Sequence, residues 1–286
     1  MSAPRVAFLG MGLMGLPMAL RLRAAGLPLT VWNRSRDKCA PAEAAGATVA
    51  ATPREAAAGA DLVLMCLMDA GAVEQVVFGT DGVAAAGKPV VLVDHSSIRP
   101  DATREFATRL QAACGGQWVD APVSGGVVGA KAGTLAIMAG GDEAAVTRAA
   151  PVLAHYSGQV THMGPVGAGQ TTKLANQVIV GSTIAVIAEA VRLAKAGGVD
   201  PALLTRALAG GWADSRPFQV FVPRMVTPPT DAIGAADTML KDLDTALDLA
   251  RQTGTPLAMA ELAASLMRTL VASKGGDSDL SRLVEG

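Results

Sequence analysis

Along the first half of the chain, short apolar runs alternate with segments whose apolar residues recur at helical spacing. Val6-Ala7-Phe8-Leu9 is followed by glycines, then by an apolar helical segment at residues 16–25 that stops at Gly26. Leu29-Thr30-Val31-Trp32 reads as the next strand. Residues 62–67 and 90–93 are apolar throughout rather than alternating, the pattern of strands covered on both faces of a parallel sheet. Helical segments at 72–78 and 101–113 follow these runs, and Trp118-Val119 and Leu135-Ala136-Ile137-Met138 supply further strands. Repeated strand–helix units of this kind predict a doubly wound sheet.

The pattern changes near Gly164. Pro165, Gly167 and Gly169 predict a loop, and residues 171–196 read as one helix ended by Gly197-Gly198. At the helical rise per residue it would be about 39 Å long. From 174 to 191 it is apolar nearly all round, so burial on several sides is expected. Only helical segments follow, at 201–209, 235–252 and 256–272. The expected organisation is α/β: a doubly wound N-terminal domain, residues 1–163, and an all-helical C-terminal domain, 164–286, joined by the long interdomain helix.

A chain of 286 residues, 50% hydrophobic and 17% charged, suits a core-rich globular fold and excludes a disordered one. Aromatics are only 3%, so the core must be built from Ala, Val, Leu, Ile and Met. The net charge of -1 and the lack of a basic block argue against nucleic acid as a partner. Cys39, Cys66 and Cys114 are an odd, unpatterned set, and His95, His155 and His162 are the only histidines. That inventory predicts no disulfide framework and no metal centre, and it fits free thiols in a reducing cytoplasm. Residues 6–20 follow Arg5 as the apolar part of a secretory signal would. Arg21 and Arg23 then stand where a cleavage site needs small uncharged residues. The longest other apolar run, 178–188, is well short of the roughly 20 residues of a membrane span, so no membrane association is expected.

Gly10-Met11-Gly12-Leu13-Met14-Gly15 is a GxGxxG that follows a strand and opens a helix, the context of a dinucleotide-binding turn. Gly10 allows the tight turn, Gly12 lets a pyrophosphate approach the backbone, and Gly15 lets helix and strand pack closely. The N-terminal domain is therefore expected to be Rossmann-type. At the end of the second strand, where NAD-binding sites carry an acid for the ribose, the chain has Asn33-Arg34-Ser35. An arginine attracts a 2′-phosphate and binds it bidentately, which predicts NADP(H) over NAD(H); a solvated surface arginine is the competing reading. In Asp120-Ala121-Pro122-Val123-Ser124-Gly125-Gly126, the hydroxyl and successive N–H groups suit a carboxylate, though a structural turn accounts for the residues equally well. Lys173 and Asn176 share a face at the start of the long helix. A half-buried lysine there can protonate a carbonyl oxygen, although spacing alone favours a solvated lysine.

The chain resembles the β-hydroxyacid dehydrogenase family, which includes 3-hydroxyisobutyrate dehydrogenase, tartronate semialdehyde reductase and the glyoxylate/succinic semialdehyde reductases. Four segments match in the family's order: residues 8–19 at the cofactor turn, 120–126 at the substrate loop, 164–176 at the catalytic segment, and Lys241-Asp242-Leu243. The resemblance implies that Lys173 is the catalytic lysine. It likewise implies that Ser124, Gly125, Gly126 and Asn176 bind substrate, that Lys241 closes over nicotinamide and substrate, and that Leu67, Met68 and Ser97 line the cofactor. Met68 stands where many members have proline, and Ala72 where some have asparagine. The implied reaction is hydride transfer between a nicotinamide cofactor and a short semialdehyde/hydroxy acid pair. The rivals are an imine reductase of the same architecture, whose members generally lack a lysine at position 173, and a non-catalytic NADP-binding module, expected to lose that lysine or the carboxylate loop. Gly210-Gly211-Trp212-Ala213-Asp214-Ser215 lies where the family varies, so the resemblance does not select one small acid. The long helix has more apolar surface than one helical domain of this size covers, which predicts a homodimer or homotetramer.

Overall fold

The computed structural model describes residues 3–286. The chain separates into two compact units, Met1–Lys173 and Leu174–Gly286. Among its described residues the first is built on nine strands: β1 (Val6–Leu9), β2 (Leu29–Trp32), β3 (Thr48–Val49), β4 (Leu62–Met65), β5 (Val91–Asp94), β6 (Gln117–Asp120), β7 (Val123–Ser124), β8 (Leu135–Gly140) and β9 (Ser157–Gly164). β3-β2-β1-β4-β5-β6 are parallel neighbours in that order. β6 and β7 run antiparallel along one side of β8, through Asp120↔Gly140 and Val123↔Ile137, and β9 pairs parallel with β8.

The strand order reverses between β1 and β4. In open α/β sheets ligands bind outside the carboxyl ends of the strands at such a switch point. The central strands β1, β4 and β5 are buried at every position, which is why they read as unbroken apolar runs. Their alternate residues feed two different cores. Val6, Phe8, Leu62, Leu64, Val91 and Val93 pack in one cluster, and Ala7, Leu9, Val63, Met65 and Leu92 in the other. A third cluster fills the second unit, where Ile184, Ala188 and Val191 meet Phe218, Val222, Leu243 and Met267.

The expected α/β class and the helical C-terminal half are both present. The long helix, Ala168–Ala196, starts three residues before the expected 171, so Gly169 belongs to its first turn and not to a loop. By length and composition this helix could cross a membrane, but its residues Ile184, Ala188 and Val191 lie in the third cluster. The segment expected at 201–209 is shorter, a 3-10 turn Pro201–Leu203 continuing into Leu204–Ala207. The helix Arg216–Val226 has no counterpart in the sequence reading, because Pro217 and Pro223 look like breakers. Pro217 sits in the first turn, where a missing N–H is no loss, and the Ser215 hydroxyl caps the helix by accepting from Phe218 N at 3.2 Å. β9 also went unread: its Gln159, Thr161 and His162 are polar, as suits a strand at the sheet edge.

Candidate active site

The glycine turn follows β1 at the switch point. Gly10 has φ +101°, and a Cβ on it would lie 2.3 Å from the Cys66 carbonyl oxygen. A Cβ on Gly15 would lie 1.9 Å from the Gly10 carbonyl oxygen, so these two glycines let turn, helix and strand touch. Gly12 differs: nothing lies within 4 Å of where its Cβ would be. Its side of the turn is an open cradle in front of the helix Gly15–Ala24, as a pyrophosphate requires. Leu13 and Met68, on the loops after β1 and β4, are 83% and 81% exposed. Such exposed apolar side chains beside the cradle suit a ligand with flat rings. The donor set therefore fits a dinucleotide.

Asn33 serves the turn from β2. Its Oδ1 accepts from Met11 N at 2.9 Å, and its Nδ2 donates to Ser35 O at 2.9 Å. Arg34 beside it is exposed. Leu67 N donates to Ser96 Oγ at 2.9 Å, which ties the loop after β4 to the loop carrying Ser97. In the segment after β6, Gly125 (φ +126°) and Gly126 (φ +61°) are consecutive left-handed positions at the start of the helix Gly126–Ala132. Half-buried Lys173 reaches this segment, its Nζ donating to Val123 O at 3.0 Å. The first unit thus gathers the glycine turn, Asn33–Ser35, Leu67, Met68 and Ser97 at the carboxyl ends of its parallel strands. Ser124–Gly126 and Lys173 lie together beyond β6.

Beneath these loops lies a buried polar layer that sequence reasoning left without a role. Gly167 N and Gln170 N donate to the two carboxylate oxygens of Asp120, each at 2.8 Å. Asp94, its register partner on β5, accepts from Ser96 N at 2.8 Å, and burial pushes its carboxyl up to about 7. Gln170 Nε2 donates to Ser96 O at 2.7 Å. His95 Nδ1 donates to Ala121 O at 2.6 Å, which leaves Nε2 to accept from the Tyr156 hydroxyl at 2.8 Å. Burial pushes His95 down to about 4 and the Cys66 thiol up to about 12, so both stay neutral at ordinary pH.

The second unit brings together the two site residues that fall in it. Asn176 Nδ2 donates to Gln177 Oε1 at 2.9 Å, and Gln177 Nε2 donates to Asp242 Oδ2 at 2.7 Å. Lys241 Nζ lies 3.2 Å from Asp242 Oδ1. Buried Gln177 and Asp242 therefore connect Asn176 to Lys241. Of the two, Asp242 carries a legible signal: it is a charge on the apolar face that also carries Met239, Leu243 and Ala246. Among the described residues no group of His, Cys, Asp and Glu is placed to hold a metal ion.

A glycine turn at the switch point of a parallel sheet, with an open cradle in front of a helix N-terminus, defines the class of NAD(P)-dependent oxidoreductases. Residues 5–164 match the family model for the NAD binding domain of 6-phosphogluconate dehydrogenase. Residues 167–285 match that for the NAD-binding domain of NADP-dependent 3-hydroxyisobutyrate dehydrogenase. The chain belongs to the β-hydroxyacid dehydrogenase family. It is 37% identical to 2-hydroxy-3-oxopropionate reductase of Escherichia coli, over 98% of this chain and 96% of that one. With 3-hydroxyisobutyrate dehydrogenase of Pseudomonas aeruginosa the identity is 38%, over 88% of each. The structure of Mycobacterium tuberculosis 3-hydroxyisobutyrate dehydrogenase with L-serine superposes with a TM-score of 0.88 at 32% identity, covering 99% of both chains.

Proposed function

We propose that the protein is an NADP(H)-dependent enzyme that interconverts a short-chain semialdehyde, or a glyoxylate-like oxo acid, and the corresponding hydroxy acid. Residues 1–163 hold the cofactor, and residues 164–286 contribute substrate binding and dimerisation. The observation that carries the reading is the placement of the Lys173 ammonium on Val123 O, immediately before Ser124-Gly125-Gly126. A cation and a run of left-handed glycine amides side by side suit a substrate with a carboxylate next to a reactive carbonyl. Bound nicotinamide supplies or accepts the hydride. Lys173 gives its proton to the carbonyl oxygen as negative charge develops there, and takes it back in oxidation. Ser124 and the amides of Gly125 and Gly126 hold the carboxylate. Asn176, one helical turn beyond Lys173, orients the lysine or the substrate, and Lys241 adds a second cation for binding. Cofactor oxidation measured with glyoxylate and the succinic, methylmalonic and tartronate semialdehydes tests the reading; no turnover of any of them would sink it. Turnover of cyclic imines in their place would favour the imine reductase reading. The three free cysteines suit a cytoplasmic location.

The NADP(H) preference rests on exposed Arg34 beside Asn33, with no acid at that strand end. Arg34→Ala is expected to weaken NADPH more than NADH, by about 1.5–3 kcal/mol for a lost charge-assisted bond. KM values for both cofactors check it, and equal losses would show that Arg34 does not meet a 2′-phosphate.

Self-association rests on the long helix. Ile179, Val186 and Leu193 are exposed and seven residues apart, so they form one apolar stripe. A homodimer or homotetramer is expected, with this stripe in its interface. Light scattering at micromolar concentration that gives only the 28.8 kDa of one chain would remove this expectation.

A further inference from the structure

We infer that Asp120 and Gln170 are positioning residues for Lys173: they fix the first turn of the long helix to the ends of β5 and β6 and so set where the ammonium lies. The inference rests on the reading of Lys173 as the proton donor. A helix leaves its first amides without partners inside the helix. Here the N–H groups of Gly167 and Gln170 both donate to the Asp120 carboxylate at 2.8 Å. Three residues after Asp120, Val123 O accepts from Lys173 Nζ. One short segment, 120–123, therefore supplies both the anchor of the helix and the acceptor of the lysine it carries. The hydrogen bonds close a ring from Asp120 through the first turn to Lys173 and back through Val123.

Gln170 fixes the same turn from a second side. Its Nε2 donates to Ser96 O at 2.7 Å and its Oε1 accepts from Ile98 N at 3.3 Å, on either side of Ser97. Both Asp120 and Gln170 are essentially inaccessible, so neither set of bonds competes with water. The packing leaves no slack. A Cβ on Gly169 would lie 2.3 Å from Met138 O and 2.6 Å from Asp120 O, and one on Gly140 would lie 2.6 Å from Asp120 Oδ1. Burial holds the Asp120 carboxyl above its usual range, and the amides of Gly167 and Gln170 act against that. The Asp120 side of the anchor bonds Gly167 and Gln170, whereas Gln170 also holds the loop that carries Ser97, so NADPH affinity is read on the Asp120 variant.

The test is a double-mutant cycle between Asp120→Asn and Lys173→Ala, assayed in single turnover with NADPH and the semialdehyde of the panel that is turned over fastest. Asp120→Asn keeps the shape but lets only one oxygen accept. In the wild-type background it is expected to lower kcat about 10- to 100-fold, the scale of a misplaced catalytic group. For Asp120→Asn NADPH affinity should stay within about twofold, since the carboxylate accepts from Gly167 and Gln170 rather than from the cofactor turn. In the Lys173→Ala background the same change should lower kcat less than about twofold, because there is no ammonium left to misplace. An equal loss in both backgrounds, or no loss in the wild type, overturns the inference. Gln170→Met, which keeps length and volume but loses both side-chain bonds, enters the same cycle and decides the matter if Asp120→Asn does not fold. The two readings fail differently. Lys173→Ala at full kcat sinks the lysine reading, whereas impaired Lys173→Ala beside unimpaired Asp120→Asn and Gln170→Met sinks only the anchoring.

Discussion

Lys173→Ala is expected to lower kcat by about 10²–10⁴, the loss of a general acid. Cofactor binding should change little, because the pyrophosphate is expected on the turn at residues 10–15. Lys173→Arg should not restore the rate. A guanidinium keeps its proton at any working pH, and its fork is wider than the ammonium held by Val123 O at 3.0 Å. The arginine variant thus separates two roles. If the lysine merely attracts the substrate carboxylate, Lys173→Arg keeps most of kcat and shifts KM. That result would transfer the acid role to another cation, with Lys241 next in line. The measurement is steady-state kcat and KM for both variants, with NADPH affinity titrated separately.

Gly12→Ala and Gly15→Ala should fail in opposite ways. At Gly15 the new methyl would sit 1.9 Å from the Gly10 carbonyl oxygen, a backbone atom that cannot swing aside. Forced overpacking of this kind costs about 1–3 kcal/mol or more, and a drop in melting temperature should report it. At Gly12 the methyl meets no protein atom within 4 Å, so stability should stay within about 0.5 kcal/mol of wild type. The methyl would instead occupy the cradle. NADPH affinity should fall about 10- to 100-fold, the same overpacking penalty transferred to the ligand. Thermal melts and an NADPH titration of both variants check the pair. Normal NADPH binding by Gly12→Ala would mean that no pyrophosphate lies against this turn.

What the chain revealed in advance follows from where its elements lie. β1, β4 and β5 are covered on both faces, so burial wrote them as apolar runs, and the glycine turn is written in sterics that any reader of Gly10 and Gly15 can reconstruct. β9 and β3 lie at the edges of the sheet, where one strand partner suffices and polar residues are tolerated. The helix Arg216–Val226 was hidden because proline is read as a breaker before its position in the first turn is known. Lys173 and Asn176 were visible as polar residues opening an apolar helix. Among their supports Asp242 shows as a charge on an apolar helix face, whereas Gln170, Gln177 and Asp120 look like ordinary polar residues until the fold buries them. Asn33 is an intermediate case: its position beside the cofactor turn was legible, but its bond to Met11 N appears only in three dimensions.

The ring that runs from Asp120 through residues 167–173 and back to Val123 has a bearing on how this sequence can change over time. Thr171 and Thr172 direct their hydroxyls only to the helix's own carbonyls, at Gly167 and Ala168, so their identities are open to exchange. The number of residues in the segment is not. Each residue added or lost between Gln170 and Lys173 turns the helix by about 100° and advances it by about 1.5 Å. One insertion would swing the ammonium off Val123, and four insertions would restore its face but leave it about 6 Å away. Descendants of this chain are therefore free to replace the letters at 171 and 172 while the spelling from Gln170 to Lys173 keeps a fixed length.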